Sequence, residues 1–285
     1  MDPLWLAGSI FLLTYALIVS EKIHRTISAL LGGLAMILFV LPQEQAFHSI
    51  DWNVIFLLAG MMIIANVLKE TGVFQWIALK AVRLGKGDPF RVLILLSLIT
   101  AFSSALLDNV TTVILIAPVT LFVASTLRVS PIPFLIAEIL ASNIGGMATL
   151  IGDPPNILIG SAANIDFVTF AVNMGPISLI ILLAFIVLAR FLFKKELTIQ
   201  DQSSIDIAGL DTSSLITDPV LLRKSLVITT AVILGFLLHS ALHLEPATIA
   251  LTGATLLMLW SKTDPHHALR DIEWTTLFFF FGLFI

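Results

Sequence analysis

The sequence predicts an all-α polytopic membrane protein built on an inverted repeat. A re-entrant helical hairpin and a broken helix lie in the first repeat, and the second repeat is incomplete. Three observations predict this. Of 285 residues, 58% are hydrophobic and 12% charged, whereas soluble domains carry about 25% charged residues. Two polar clusters, at 103–112 and 142–156, interrupt long apolar runs. The chain also matches itself in one continuous register. Thr26-Ile27 pairs with Thr248-Ile249, Leu34 with Leu256, Met36 with Met258, Ile50-Asp51-Trp52 with Ile272-Glu273-Trp274, and Gly60 with Gly282.

The net charge of −4 gives no reason to expect a nucleic-acid partner. The absence of cysteine excludes disulfides and thiolate metal sites. Residues 4–20 are apolar at once, with no basic stretch before them and no small-residue cleavage site after them. They read as an uncleaved first span, not a signal peptide.

A span needs about 20 apolar residues, and fewer if it is a half-helix. Helices are expected near 4–20, 26–42 and 52–68. In 71–85, Phe74, Ile77, Ala78 and Ala81 share a face while Gln75, Lys80 and Arg83 are polar, which suits a helix lying in the interface. Residues 91–107 and 110–127 flank the first cluster as a hairpin. Residues 132–145 and 157–171 flank the second as one broken helix. A long helix is expected over 173–193 and a polar, acidic linker over 195–222. Spans resume near 223–243 and 246–260, and a last one starts at Trp274. The first repeat covers 1–194, with scaffold helices in about 1–70, and the second begins at 223.

Basic residues orient the chain, because cytoplasmic loops are rich in Lys and Arg. With 91–127 entering and leaving on one side and 132–171 crossing once, all 15 Lys and Arg fall on one side. Asp2, Glu44, Asp51, Asp166 and Glu245 fall on the other. Two full spans at 91–127 would move everything from Lys194 onward across the membrane. The hairpin is therefore expected, in a plasma (inner) membrane, with the N-terminus outside and the 195–222 linker cytoplasmic. Helix 26–42 then runs outward and 248–260 inward, which makes the repeat inverted, a common design among transporters. A second hairpin and a second broken helix are expected to follow Ile285, so the chain reads as a truncated piece of a larger protein.

A carboxylate at bilayer depth costs about 2.5–3.5 kcal/mol on insertion scales. Non-helical backbone survives there only when buried in protein or lining a wet cavity. Helix breaks also expose N–H and C=O groups that bind ions and polar solutes. Asp108 and Asp153 are therefore the leading site residues, with helix N-capping as the structural alternative for each. Desolvation favours the protonated carboxyl and a bound cation the ionised one, so Na⁺ and H⁺ compete for such a site. Asn109, Thr111, Thr112, Asn143, Thr149 and Asn156 offer neutral oxygens, unless the Thr hydroxyls bond back to helix carbonyls. Asp108, Asn109, Asn143 and Asp153 are the expected Na⁺ ligands.

Gly145, Gly146 and Gly152 either free backbone carbonyls or allow close packing. Pro154 and Pro155 stop a helix and leave carbonyls unpaired, while Pro118 kinks its half-helix. Glu138 lies two turns inside its helix and is either a proton relay or a packed neutral acid. Asp51 and Glu273 precede tryptophans and read as interfacial N-caps. His239 and His243, four apart with Glu245 nearby, have a spacing that binds zinc, although histidines at the outer end of a span are more often interfacial. No cofactor is expected beyond a transported or coupling Na⁺ or H⁺.

These motifs carry a resemblance. They are Leu107-Asp108-Asn109-Val110-Thr111-Thr112 with Ala117-Pro118-Val119-Thr120, then Ile136-Ala137-Glu138, Asn143-Ile144-Gly145-Gly146, and Ala148-Thr149-Leu150-Ile151-Gly152-Asp153-Pro154-Pro155-Asn156. The sequence resembles the ArsB/NhaD permease family of the ion-transporter superfamily, in particular its P-protein/NhaD branch. More distantly it is similar to the citrate-transporter-like domain and the sodium-coupled dicarboxylate symporters. Those read Ser-Asn-Thr at the hairpin tip and Gly-Thr-Pro-Pro-Asn in the second motif. Here Asp108 replaces the first Ser and Asp153 the Thr.

The resemblance implies the ion-transporter fold, a scaffold domain that makes a homodimer, and a transport domain that moves like an elevator. It implies secondary active transport across the lipid bilayer, either Na⁺/H⁺ exchange or export of a small anion such as arsenite. The two added acids favour a cation or proton role over citrate or dicarboxylate symport. No enzymatic activity is expected. The rival, an intramembrane aspartyl hydrolase whose two acids share a proton, needs Gly-x-Gly-Asp, and Leu150 stands where the first Gly belongs. A channel-like or non-transporting fragment is the third reading.

Overall fold

A computed structural model describes residues 3–194, 196–197 and 215–285. Among them there is helix and no strand, and six helices are long and apolar enough to cross a membrane. The chain is a polytopic membrane protein. Its elements are α1 (Pro3–Ser20), α2 (Arg25–Phe39), α3 (Gln43–His48), α4 (Trp52–Glu70), α5 (Val73–Leu84), α6 (Pro89–Leu106) and α7 (Asn109–Leu127). They continue with α8 (Ile132–Gly146), α9 (Pro154–Ala163), α10 (Phe167–Leu192), α11 (Pro219–Leu242), α12 (Pro246–Ser261), α13 (Pro265–Arg270) and α14 (Trp274–Phe284).

Most helices start on an acid. Asp51 accepts from Val54 N at 3.2 Å, Asp88 from Arg91 N at 2.8 Å, and Asp218 from Val220 N and Leu221 N at 2.9 Å each. Such a cap takes up an N–H that the first turn leaves without a helical partner. Proline follows the cap in α6 and α11, where its missing N–H does no harm. Gly72 turns the chain from α4 into α5. Its φ of +77° and its approach to Leu215 O, which a Cβ would meet at 1.9 Å, both require glycine.

Several boundaries differ from those expected. The helix expected over 26–42 ends at Phe39, and a separate α3 follows it. Its counterpart, α13, had no expected helix. The half-helix expected over 157–171 stops at Ala163, because Asn164 turns left-handed at φ 53° and Asp166 caps a new helix through Thr169 N. As a result α10 begins at Phe167 rather than 173. Asp218-Pro219 starts α11 inside the expected 195–222 linker, of which 195 and 198–214 lie outside the described residues, as does Asp2.

The two repeats embrace each other. α4 packs along α12, and α14 along α2. Since α12 is the counterpart of α2 and α14 of α4, this is one contact made twice with the repeats exchanged. Asn53 donates to Glu245 at 3.0 Å and accepts from Ala247 N at 2.9 Å. On the other side Thr26 Oγ1 donates to Thr275 O at 2.8 Å. α14 runs against its own counterpart. His267, ahead of α14, lies 2.9 Å from Glu70 at the end of α4, whereas Phe281 late in α14 meets Trp52 at the start of α4, ring centroids 6.3 Å apart. The repeat is therefore inverted.

Apolar side chains gain little by leaving lipid for protein, so helices in a bilayer associate through close packing of small residues. Gly60 rests on the backbone of Ala250 and Leu251, and Gly282 on that of Ala29 and Leu30. Gly60→Val and Gly282→Val are each expected to lower stability by about 1–3 kcal/mol, read as a fall in thermal midpoint in detergent. Gly8→Ala and Gly175→Ala, where nothing lies within 4 Å, should leave the midpoint unchanged.

Two cores result. One gathers α11, α12 and α14 around the deeply buried α4. The other gathers α5, α6, α7, α8 and α10. Leu107, Leu115, Leu150 and Ile151, beside the two polar clusters, belong to the first core. The clusters therefore lie where the two cores meet. α1 buries nothing, and α10 exposes Leu179, Ile180, Leu183 and Val187, which suits contact with lipid.

Candidate functional site

The hairpin tip between α6 and α7 is bonded to the break between α8 and α9. Asp108 is the N-cap of α7, is 5% exposed, and accepts from Thr111 N at 2.8 Å. The next residue, Asn109, donates its backbone N–H to Gly152 O at 3.1 Å. Its side-chain Nδ2 donates to Asn143 Oδ1 at 3.0 Å. Asn109 Oδ1 is left buried with no protein donor, and so is the hydroxyl of Thr112. Thr112 therefore does not bond back to a helix carbonyl, the structural role open to it from sequence.

The break spans 147–153 and is held by side chains. Thr149 Oγ1 donates to Ala105 O at 2.6 Å and accepts from Gly152 N at 3.2 Å. Asn156 Nδ2 donates to Gly146 O at 3.0 Å, a carbonyl at the end of α8, and to Thr149 O at 2.9 Å within the break. Ser104 Oγ donates to Ser142 O at 2.7 Å, and Ser178 Oγ to Ile144 O. Asn143 and Thr149 thus fasten the hairpin to the broken helix, while Asn156 ties the start of α9 back across the break. Pro154 and Pro155 occupy the first turn of α9. They start the second half-helix instead of stopping the first, a correction to their expected role.

The glycines of the break serve close approach. A Cβ on Gly145 would lie 2.0 Å from Ala101 O, on Gly146 2.7 Å from Gly152 O, and on Gly152 2.5 Å from Gly146 O.

The two acids differ. Capping accounts for the position of Asp108. Asp153 stands at the N-cap position of α9 but makes no capping bond. It is half-buried and near enough to Asp108 to interact with it electrostatically. Among the described residues neither carboxylate forms a salt bridge. The starts of α7 and α9 converge here, and a helix start favours an anion. Each already carries its own carboxylate. Glu138 lies away from this contact, within α8. It is 1% exposed, Thr120 donates to its Oε1, and its Oε2 has no protein partner.

A further polar group, whose members the sequence offered only singly, lies where α9 and α10 meet the first core. It is a cavity of about 430 Å³ lined by Asp51, Ser161, Asp166, His239 and Glu245, with Leu150 and Ile151 of the break. Ser161 Oγ donates to Asp51, and Phe167 N to His239 Nε2 at 3.2 Å. Thr169, through its N–H and its hydroxyl, holds the Asp166 carboxyl below the usual carboxylate range, and His239 acts in the same direction. His239 serves the start of α10, and Glu245 accepts from Asn53. His239 and Glu245 of the zinc-like spacing therefore have structural partners, and His243 ends α11 in the left-handed region. No local signal marked this group, since Asp51 and Ser161 are 110 residues apart in the chain.

Comparison with known proteins adds a family. The citrate transporter family model matches residues 15–285. A Mycobacterium tuberculosis protein described as an uncharacterized transporter is 44% identical over 284 residues, covering 98% of this chain and 66% of the relative. A 46 kDa membrane protein of Mycobacterium leprae is 43% identical over 285 residues, with the same coverage. The human P protein is 32% identical over 358 residues, covering 98% of this chain and 43% of the relative. The chain thus spans just under two thirds of the length of the mycobacterial relatives.

Proposed function

Because the chain belongs to the citrate transporter family, we propose that it is a secondary active transporter whose ion site is the contact between hairpin tip and helix break. The pairing of Asp108 with Asp153 at the converging starts of α7 and α9 supports this reading most directly. Free helix starts would suit a carboxylate substrate. Two resident carboxylates repel one and attract a cation. Asn109 Oδ1, buried and without a donor, adds a neutral oxygen of the kind Na⁺ takes. Exchange of Na⁺ for H⁺ follows as the favoured activity, ahead of citrate or dicarboxylate symport and of small-anion export.

On this reading the core around α4, α11, α12 and α14 is the scaffold and the homodimer surface, and the α5–α10 bundle carries the site across. The tip stops short of the face bearing Asn164, because α9 fills the remaining ~15 Å at 1.5 Å per residue. The N-terminus lies outside and the 195–222 linker in the cytoplasm.

The intact gene product in proteoliposomes, loaded with a pH dye, is expected to release internal protons when Na⁺ is added outside. Sodium-driven citrate uptake with no such pH response would overturn the exchange reading in favour of symport.

A further inference from the structure

We propose that Glu138 is a proton-binding site inside the α6–α7–α8 bundle, in a buried column of hydroxyls that ends near the tip and break. The proposal rests on the transport reading above and adds a second site to it. On α6, Ser97, Thr100 and Ser104 follow helical spacing along one face. On α7, Thr112 and Thr120 are eight residues apart, and on α8, Glu138 and Ser142 are four apart, each pair on one face. α8 packs against both α6 and α7, and every one of these residues is 2% exposed or less. Three polar stripes therefore meet inside one bundle.

The column has two ends. Near the break, Ser104 Oγ donates to Ser142 O. Deeper in, the Thr120 hydroxyl donates to Glu138 Oε1. Along it Ser97 Oγ, Thr100 Oγ1, Thr112 Oγ1 and Glu138 Oε2 have no protein partner. Buried polar atoms are rarely left unpaired, and an apolar bundle would avoid their desolvation. Among the described residues no hydrogen bond joins these hydroxyls to one another, so they form a polar interior of the bundle and not a proton relay.

The charged residues on the elements packed against α8 are few. Asp88 and Arg91 stand at the start of α6, Asp108 and Arg128 at the ends of α7, and Asp166 and Arg190 on α10. Among the described residues none of them forms an ion pair with Glu138, whose carboxyl is bonded to Thr120. Burial without a counter-ion favours a neutral acid. Gly146 lies eight residues on, about 12 Å along the helix. A cation arriving at the break and a proton on Glu138 therefore oppose each other by about tenfold at an effective dielectric near ~20. That opposition couples the two sites without contact between them.

The test uses the intact gene product in proteoliposomes. Glu138→Gln should keep Na⁺-driven flux but flatten its pH dependence. KM for Na⁺ should then vary less than about threefold across a pH range where the parent varies about tenfold. A pH profile identical to the parent overturns the proposal. If Glu138→Gln does not fold, pH-difference infrared spectra of the parent and of Thr120→Val decide. A buried carboxylic-acid band that titrates and moves when Thr120 loses its hydroxyl supports the site, and the absence of such a band overturns it. If the parent carries no flux, the transport reading fails, and the infrared band still decides whether Glu138 exchanges protons.

Discussion

Asp108→Asn is expected to abolish cation-coupled flux while leaving the fold intact. The reason lies in the cap. Asn caps a helix about as well as Asp, so the bond from Thr111 N survives the change. What is lost is the charge. At ~4 Å and an effective dielectric near ~20, a unit charge contributes about 4 kcal/mol to a bound cation, or about three powers of ten in affinity. Asp108→Ala should lose the same flux and also about 1 kcal/mol of stability, because the cap goes too. Asp153→Asn gives the cleaner comparison, since Asp153 makes no capping bond. It should lose flux with no change in thermal midpoint. Sodium-dependent proton release and thermal unfolding in detergent, measured on the same three variants, separate charge from cap. Full coupled flux in Asp108→Asn would remove the site from the hairpin tip.

Gly145→Ala should be the most disruptive single methyl at the hairpin tip and helix break. Its Cβ would meet Ala101 O at 2.0 Å and Ala101 C and Cα at 2.5 Å. All three are atoms that a smaller residue at 101 would still present, so Ala101→Gly should not rescue it. α6 and α8 must separate instead, and the bonds from Ser104 to Ser142 and from Thr149 to Ala105 go with them. Overpacking of this kind costs about 3 kcal/mol, near the top of its usual range. Loss of flux should accompany the loss of stability. Gly160→Ala is the control. Its Cβ would meet Leu150 Cδ2 at 2.4 Å, the far end of a side chain that can turn aside. Thermal midpoints in detergent should rank Gly145→Ala far below Gly160→Ala. Equal midpoints would mean that the backbones of α6 and α8 do not approach so closely.

The helices were legible where a strong local cause acts. Asp51-Trp52 and Pro246 mark starts that short-range chemistry dictates. The end of α9 was not legible, because the apolar run continues through Asn164 to Asp166 and only the turn at Asn164 divides it. The candidate site shows the same division. Asp108, Asn109 and Asp153 stand out as polar residues in apolar sequence. That Asn143, Thr149 and Asn156 are fasteners, while Asn109 Oδ1 and Thr112 Oγ1 remain without partners, depends on atoms supplied by other helices.

By itself the sequence determined that this is a membrane protein, that its halves repeat, and which two polar interruptions carry ionisable groups. Those conclusions need only the insolubility of charge in hydrocarbon and the length of a span. Only the tertiary structure decided that α4 embraces α12 as α14 embraces α2, that Asp108 caps while Asp153 does not, and that hydroxyls from three helices are buried in one bundle. Each of these is a contact between residues far apart in the chain, and hydrogen bonding and close packing are fixed by distance in space, which no local pattern records.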